Sequence, residues 1–351
     1  MKRKGYISLE IMVVCFAILT AGIGGVAHFS KESKTNQHVM VEKQEEVYYA
    51  AWNGQAHNPS GGGNVVIPEN CVDFVVTADN RHMVGYTDET TILNIPATFY
   101  DSETDTNYKV VGIGSRAFYN CLNLKEISIP STVKTIGNYA FAACRNATKI
   151  SIPDSITYID EAAFKACNSL TSLNIPSGVT QITTEAFREL TSLTELHIPN
   201  TVTHIWPSAF RDLTNVKEII IPESVVSIGN NAFKDADSIT EITIPGNIKV
   251  IPDFGFSTCD NLEKIIIEEG VEEIKEPYAF NWAGKLTTVV MPKSLKKIGG
   301  GAFYYSTNLS EIYYAGTEDE WNNIEKGTNW NFGACQWNPS KLKIHYESTG
   351  I

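Results

Sequence analysis

Four cysteines in phase are the first candidates for chemistry in this 351-residue sequence. Cys121, Cys144 and Cys167 follow one another at 23-residue intervals, and Cys259 falls on the same phase. Thiolates at regular spacing are metal ligands or disulfide partners where their surroundings allow it. Here the intervening copies carry Leu190, Leu213 and Ala236. A slot that takes Cys, Leu or Ala reads as a buried small apolar position, not a ligand. Cys15 lies in an apolar run, and Cys71 and Cys335 lie towards opposite ends, so seven cysteines in all make no disulfide framework. His197 and His204 fall on consecutive extended segments of one copy, but no third metal ligand accompanies them, and they read as surface imidazoles. Glu268, Glu269, Glu272 and Glu273 supply carboxylates of the kind used in acid–base catalysis, yet they read as acids on a solvated face. The sequence holds no nucleophile elbow, no phosphate-cradling glycine loop and no HExxH pair. It therefore implies no catalytic residue, no cofactor and no metal.

What positions these residues is a repeat. An Ala-Phe step or its variant puts Phe at 118, 141, 164, 187, 210, 233, 256, 280 and 303, every interval being 23 except one of 24 between Phe256 and Phe280. Pro130, Pro153, Pro176, Pro199, Pro222 and Pro245 keep the same time, and the step returns at Met291-Pro292. A fixed period of this length denotes stacked supersecondary units. The units align as Leu-x-x-Ile-x-Ile-Pro-x-x-Val-x-x-Ile-Gly-x-x-Ala-Phe-x-x-Cys. Ile127 and Ile129 lie two apart on one side of a strand, and Pro130 ends it for want of an N–H. Val133 and Ile136 make a second short segment, Gly137 opens a turn, and Ala-Phe-x-x-Cys is expected to lie on one face of a helical turn. No unit can cover its own flanks, so neighbours must stack at about 4.8 Å per rung.

This template resembles the BspA-like class of bacterial leucine-rich repeats, over residues 114–315 and eight or nine rungs. The resemblance implies a β-rich α/β repeat solenoid with N- and C-terminal caps, and a surface-displayed or secreted protein used in binding and adhesion. Glu268 stands where other copies have Pro, and Pro252 and Pro277 intrude near the 24-residue interval, so a local irregularity is expected there.

The middle residue of Ile-x-Ile points away from the core. Along the stack it reads Ser128, Ser151, Asn174, His197, Ile220, Thr243, Ile266, Val290 and Tyr313, polar at first and apolar later. Exposed apolar strips mark contact sites, whereas β-branched residues also simply suit strands. His197, Ile220, Thr243, Ile266, Val290 and Tyr313 form the candidate binding face, with a protein or cell-surface ligand as its partner.

The N-terminus differs in kind. Residues 1–5 are a basic leader, and Ile11 to Phe29 contains no charged residue; as a helix at about 1.5 Å per residue it approaches a ~30 Å hydrocarbon core. Lys2, Arg3 and Lys4 would hold the start on the cytoplasmic side. Glu10, at the head of the apolar run, is costly in lipid and marks a functional position. Lys4-Gly5-Tyr6-Ile7-Ser8-Leu9-Glu10 resembles the leader junction of type IV prepilins and pseudopilins. That resemblance implies a prepilin peptidase cutting after Gly5, a mature chain starting at Tyr6, and Glu10 neutralising the α-amino group of a neighbouring pilin-like subunit. Tyr6 departs from the Phe usual in that family.

Residues 6–29 are thus read as a hydrophobic pilin-like or membrane helix, 30–63 as stalk and Gly-rich linker, 64–113 as N-terminal cap, and 316–351 as C-terminal cap. In the first cap Cys71 to Val76 and Thr91 to Ile95 read as strands and Tyr100 to Asn107 as a loop. In the last, Thr317 and Glu320 make a capping box, Lys341 to Tyr346 alternates like a strand, and the aromatic residues read as cap packing. A net charge of −12 excludes nucleic acid as a partner and disfavours anionic lipid surfaces. The expectation is a bacterial envelope protein whose extracytoplasmic solenoid is a non-catalytic interaction module held by its N-terminal helix. A minor pilin or pseudopilin of a filament, secretion or conjugation machine is the alternative, and an enzyme using the solenoid groove a second.

Overall fold

The computed structural model describes residues 70–102, 105–334 and 341–348. Gly5, Tyr6, Glu10, Cys15, the expected helix of residues 6–29, the stalk of residues 30–63 and Cys335 lie outside the described residues. Among the described residues no helix is long and apolar enough to cross a membrane.

The rungs stack as parallel ladders. One is built from the Ile-x-Ile segments: Ile92–Asn94, Glu126–Ser128 and Lys149–Ser151 pair in order, and later Glu241–Ile244, Lys264–Ile267, Thr288–Met291, Glu311–Tyr314 and Lys343–His345. A second ladder is made of two-residue strands such as His204–Ile205 and Ser227–Ile228, each short because a turn follows at once. Gly229 starts such a turn: a Cβ there would lie 2.4 Å from the Pro207 nitrogen of the rung below, so only glycine lets these backbones approach.

The Ala-Phe segment is not the helical turn expected. It is a run of β-turns in which the residues two before and two after each Phe have positive φ, as at Glu185 (55°) and Glu189 (62°). Left-handed non-glycine residues cost roughly 1 kcal/mol each, and the compensation is visible between rungs. The N–H groups of Arg116, Phe118 and Asn120 donate to the carbonyls of Asn138, Ala140 and Ala142 of the following rung at 2.9, 2.7 and 2.8 Å. The intervening Ala117 and Tyr119 N–H groups close turns within the rung, onto Gly114 and Arg116. A helical turn would direct all of these donors along its own axis and leave the neighbouring rung unpaired.

Inside, the repeating Phe residues form a staircase. Phe118 to Phe303 are each at most 1% exposed, and successive rings lie 5.3–5.7 Å apart and within 14° of parallel. Leucine and isoleucine from the two ladders fill the remainder of one continuous core. A polar ladder runs nearer the surface: Asn146, Asn215, Asn261 and Asn308, exposed or half-buried, each donate through Nδ2 to a carbonyl of the preceding rung, those of Leu122, Thr191, Asp237 and Gly284.

The 24-residue interval is absorbed in one turn. Ile251 and Ile274 remain register partners, and the extra residue falls between Ile274 and Phe280, at the cis Glu276-Pro277 step. Both ladders resume in register beyond it.

In the first cap, the segment read as a loop is a hairpin instead. Thr98–Asp101 pairs antiparallel with Thr106–Ile113, and Tyr100 donates its hydroxyl to Asp105 at 2.8 Å. Phe99 stacks on Tyr108, an apolar pair on polar strands that alternation over so few residues concealed. At the other end, the helix Glu318–Asn323 begins with the expected box: Glu320 N–H donates to Thr317 Oγ1, and Glu320 accepts from the Thr317 N–H. Trp321 packs against Tyr314 and Trp330 over the last rung.

Candidate functional site

The outward positions of the first ladder are brought into one row. Thr243, Ile266, Val290, Tyr313 and His345 are register partners in succession. Their exposure differs from the strip expected. Val290 is only 7% exposed, because Ile266 and Tyr313 flank it on both sides, and Thr243, Ile266 and Tyr313 are half-buried. Tyr313 is covered in turn by His345, whose ring stacks on it at 4.5 Å. His345 is held there by Glu311, 2.5 Å from its Nε2, and hydrogen bonds from His345 and Lys343 keep the Glu311 carboxyl below the usual range. The apolar half of the row is therefore sealed by its own members at the C-terminal end.

Ile220 is the exception, at 67% exposed. The ladder is interrupted there. Between Lys149–Ser151 and Glu241–Ile244 the rungs carrying Asn174, His197 and Ile220 form no paired strand. Ile219, Ile220 and Ile221 make no backbone hydrogen bond among the described residues, and Glu241–Ile244 is paired only on its far side, with Lys264–Ile267. Proline does not account for it, since Pro130, Pro153, Pro245 and Pro292 stand in copies that do pair; at Glu268, which stands in place of a Pro, the N–H adds a bond to the Ile244 carbonyl at 3.0 Å.

A groove of about 570 Å³ lies on this interruption. Ile220, Pro222 and Pro245 give it apolar lining, and Glu218, Glu223, Glu241 and Glu268 surround it with Lys217. Glu241 has one weak ion pair, 3.8 Å from Lys264. His197 is exposed on the rung before Ile220.

The other candidates separate. Cys144, Cys167 and Cys259 are fully buried, each thiol facing a backbone carbonyl of the preceding rung, and burial pushes the last two up to about 12. They are neither ligands nor nucleophiles. His204 bonds through Nδ1 with Thr203 and lies beside Trp206, away from His197's ladder. Among the described residues no group of His, Cys, Asp and Glu is placed to hold a metal ion.

The turn face holds what the template hid in its unassigned positions. Lys165, Glu185, Arg188, Asp212, Arg211 and Asp235 form a chain of ion pairs across four rungs. Burial pushes Glu185 up, but the hydrogen bonds from Lys165 and Arg188 outweigh it and its carboxyl is net lowered. Further along, Trp282 stacks on Tyr305 and Tyr304 on Phe332. Reading the residues two before, one after and two after each Phe as columns reveals both patterns in the sequence.

Comparison with known proteins agrees with this architecture. The BspA type leucine-rich repeat region, in six copies, matches residues 102–217 and 203–328. A leucine-rich repeat protein from Bacteroides ovatus is 29% identical with a TM-score of 0.56, over 74% of this chain and 64% of that one. This chain thus spans less than two thirds of that protein's length. The pneumococcal vaccine antigen PcpA shares the fold at 22% identity and a TM-score of 0.51, over 74% of this chain and 73% of its own. No curated protein matches. The 23-residue rungs, the Phe staircase and the family match over most of the described residues make this chain a member of the BspA type leucine-rich repeat family.

Proposed function

We propose that this protein is a non-catalytic interaction module displayed outside the bacterial cytoplasm, binding a protein or other cell-surface ligand through the outward ladder. The observation that carries this reading is Ile220, an open apolar side chain at the interruption of a row whose later apolar members cover one another. Isolated exposed isoleucines are ordinary. This one is distinguished by the groove it lines together with Pro222, Pro245 and four glutamates. Thr243 lines it with Ile220, and His197, Ile266 and Tyr313 continue the row on other rungs, with Val290 buried between the last two. The test is binding of the purified full chain to immobilised host and bacterial surfaces, with Ile220→Glu as the variant. Binding that falls at least about tenfold supports the face; unchanged binding places the contact elsewhere on the solenoid.

The motif Lys4-Gly5-Tyr6-Ile7-Ser8-Leu9-Glu10 supports a second, compatible reading. In it a prepilin peptidase cleaves after Gly5, Glu10 pairs with the Tyr6 amine of a neighbouring pilin-like subunit, and the helix of residues 6–29 sits in the membrane or a filament with the repeats outside. Co-purification of the chain with sheared filaments separates an assembly component from a simply tethered module.

A further inference from the structure

The charge pattern around Ile220 narrows the chemistry of its occupant, on the reading above that the outward ladder is the contact face. Glu218 stands two residues before Ile220, and strand alternation puts both side chains on the outward face. Glu195 and Glu241 hold the position of Glu218 on the rungs before and after, so three carboxylates follow one another at about 4.8 Å. Like charges opposite one another on adjacent strands repel. All three are exposed, and the column is answered only at its end, where Lys264 lies 3.8 Å from Glu241. Among the described residues Glu195 and Glu218 make no ion pair. Glu223 and Glu268 line the groove on the other side of Ile220, and Lys217 is the one cation among its lining residues. The main-chain N–H and C=O groups of a rung lie in the sheet, towards the neighbouring rungs, so an occupant is read through side chains alone.

We propose that this face docks a basic amphipathic α-helix of a partner protein. The helix lies along the stack, with its apolar stripe on Ile220 and lysines or arginines over the glutamates to either side. A helix satisfies its own main chain, which this face cannot do for it. It also presents apolar and basic side chains together on one surface, because residues three and four apart are neighbours. The periods agree. One helical turn rises about 5.4 Å against about 4.8 Å per rung, so successive turns set a cation over Glu195, Glu218 and Glu241. The mismatch accumulates to about 1 Å across the three, within the reach of a flexible lysine stem. Ile220, Pro222 and Pro245 receive the apolar stripe in the groove of about 570 Å³ between the acids. Acidic helices, nucleic acid and anionic glycans are repelled by the same carboxylates.

The experiment uses the full chain and a fluorescent synthetic helix of about 18 residues, a leucine stripe flanked by lysines. One matched peptide carries glutamate for lysine. A second keeps the composition but alternates lysine with leucine, which retains the charge and removes the helical stripe. The expected result is binding of the lysine helix with a gain in helical circular dichroism, weakening about tenfold from 50 to 300 mM salt. Both matched peptides bind at least about tenfold more weakly. The double variant Glu195→Gln/Glu218→Gln, checked for native thermal unfolding, weakens the lysine helix at least about fivefold. Glu161→Gln/Asp260→Asn, which removes two exposed charges from the turn face instead, leaves binding unchanged. Equal binding of the alternating peptide, equal effects of the two double variants, or no binding at millimolar peptide overturns the proposal. If Ile220→Glu still abolishes surface binding in that case, the contact face stands and its occupant is of another class. If Ile220→Glu leaves surface binding unchanged, the contact face fails with it.

Discussion

Cys167 Sγ donates to the carbonyl oxygen of Phe141 at 3.2 Å, an oxygen that already receives the Cys144 N–H at 3.3 Å. Cys144 repeats the bond onto Phe118 at 3.1 Å, and Ser306 makes the same bond with its hydroxyl onto Phe280 at 3.0 Å. The slot is therefore apolar in volume with one polar option. A thiol or hydroxyl takes the carbonyl's second lone pair, and Leu190, Leu213 or Ala236 leave that lone pair unused without stranding a donor.

Two outcomes follow for the cysteines. Cys167→Ser should change unfolding free energy by no more than about 1 kcal/mol, because the bond is kept. Native alkylation at pH 8, resolved by peptide mass spectrometry, should leave Cys144, Cys167 and Cys259 unmodified while Cys71, half-exposed, reacts. Labelling of Cys167 as fast as Cys71 would contradict both its burial and its raised pKa.

The Phe staircase makes a central ring more costly to remove than its own area suggests. Phe187 stacks on Phe164 at 5.7 Å and Phe210 at 5.6 Å. Phe187→Ala should cost about 3–5 kcal/mol, read as a lowered urea midpoint. Phe187→Leu, which refills most of the volume, should cost less than half of that.

Acid should act on stability in two directions. Burial, then the neighbouring Asp260, Asp235 and Asp212, pushes Asp237 up to about 6. A carboxyl whose folded pKa is raised binds more protons folded than unfolded, so its contribution rises as pH falls from about 7 towards 4. Asp237→Asn should raise stability at pH 7 and flatten that trend. Glu185 acts oppositely: its lowered folded pKa gives stability that is complete above its unfolded value and is lost as pH drops below it. Thermal midpoints measured from pH 8 to 3 should therefore pass through a maximum near the crossover. A monotonic decline from pH 7 downward in the native chain, unchanged by Asp237→Asn, would refute the Asp237 contribution.

At the N-terminus the decisive quantity is mass. A chain recovered from envelope fractions and beginning at Tyr6, with a methylated amine, is the expected outcome of the leader resemblance. Retention of Met1 would leave Glu10 without an amine to pair with, and cleavage beyond residue 25 would mean a signal peptide.

Period carried most of this architecture into the sequence. The Phe spacing, the Ile-Pro step and the Thr317–Glu320 box were legible because each is a local rule repeated or closed within a few residues. The turn segment misled because Ala-Phe-x-x-Cys has helical spacing, whereas its conformation is decided by hydrogen bonds to residues 22 positions away, as from Arg116 to Asn138. The candidate site was legible only in part. Ile220 could be placed on the outward row from alternation, but the burial of Val290 depends on the sizes of Ile266 and Tyr313 on adjacent rungs. The interruption that creates the groove is a cooperative failure of pairing, which no single residue in the Leu-x-x-Ile-x-Ile-Pro pattern announces.

The donors of Arg116, Phe118 and Asn120 all point to the following rung, and the same sense holds through Phe303 and Tyr305, which reach Trp330 and Phe332. The turn face is thus a set of columns of aligned peptide dipoles running along the stack, comparable to those of a helix but perpendicular to the chain. Their negative pole lies at the first rung, where carbonyls have no rung before them, and there the Arg81 guanidinium meets the Ala117 oxygen at 3.3 Å. Their positive pole lies at the last rung. Reversing the order of the caps would set a cation against the positive pole, so the solenoid is polar as an object, and its two ends are not interchangeable as starting points for adding further rungs.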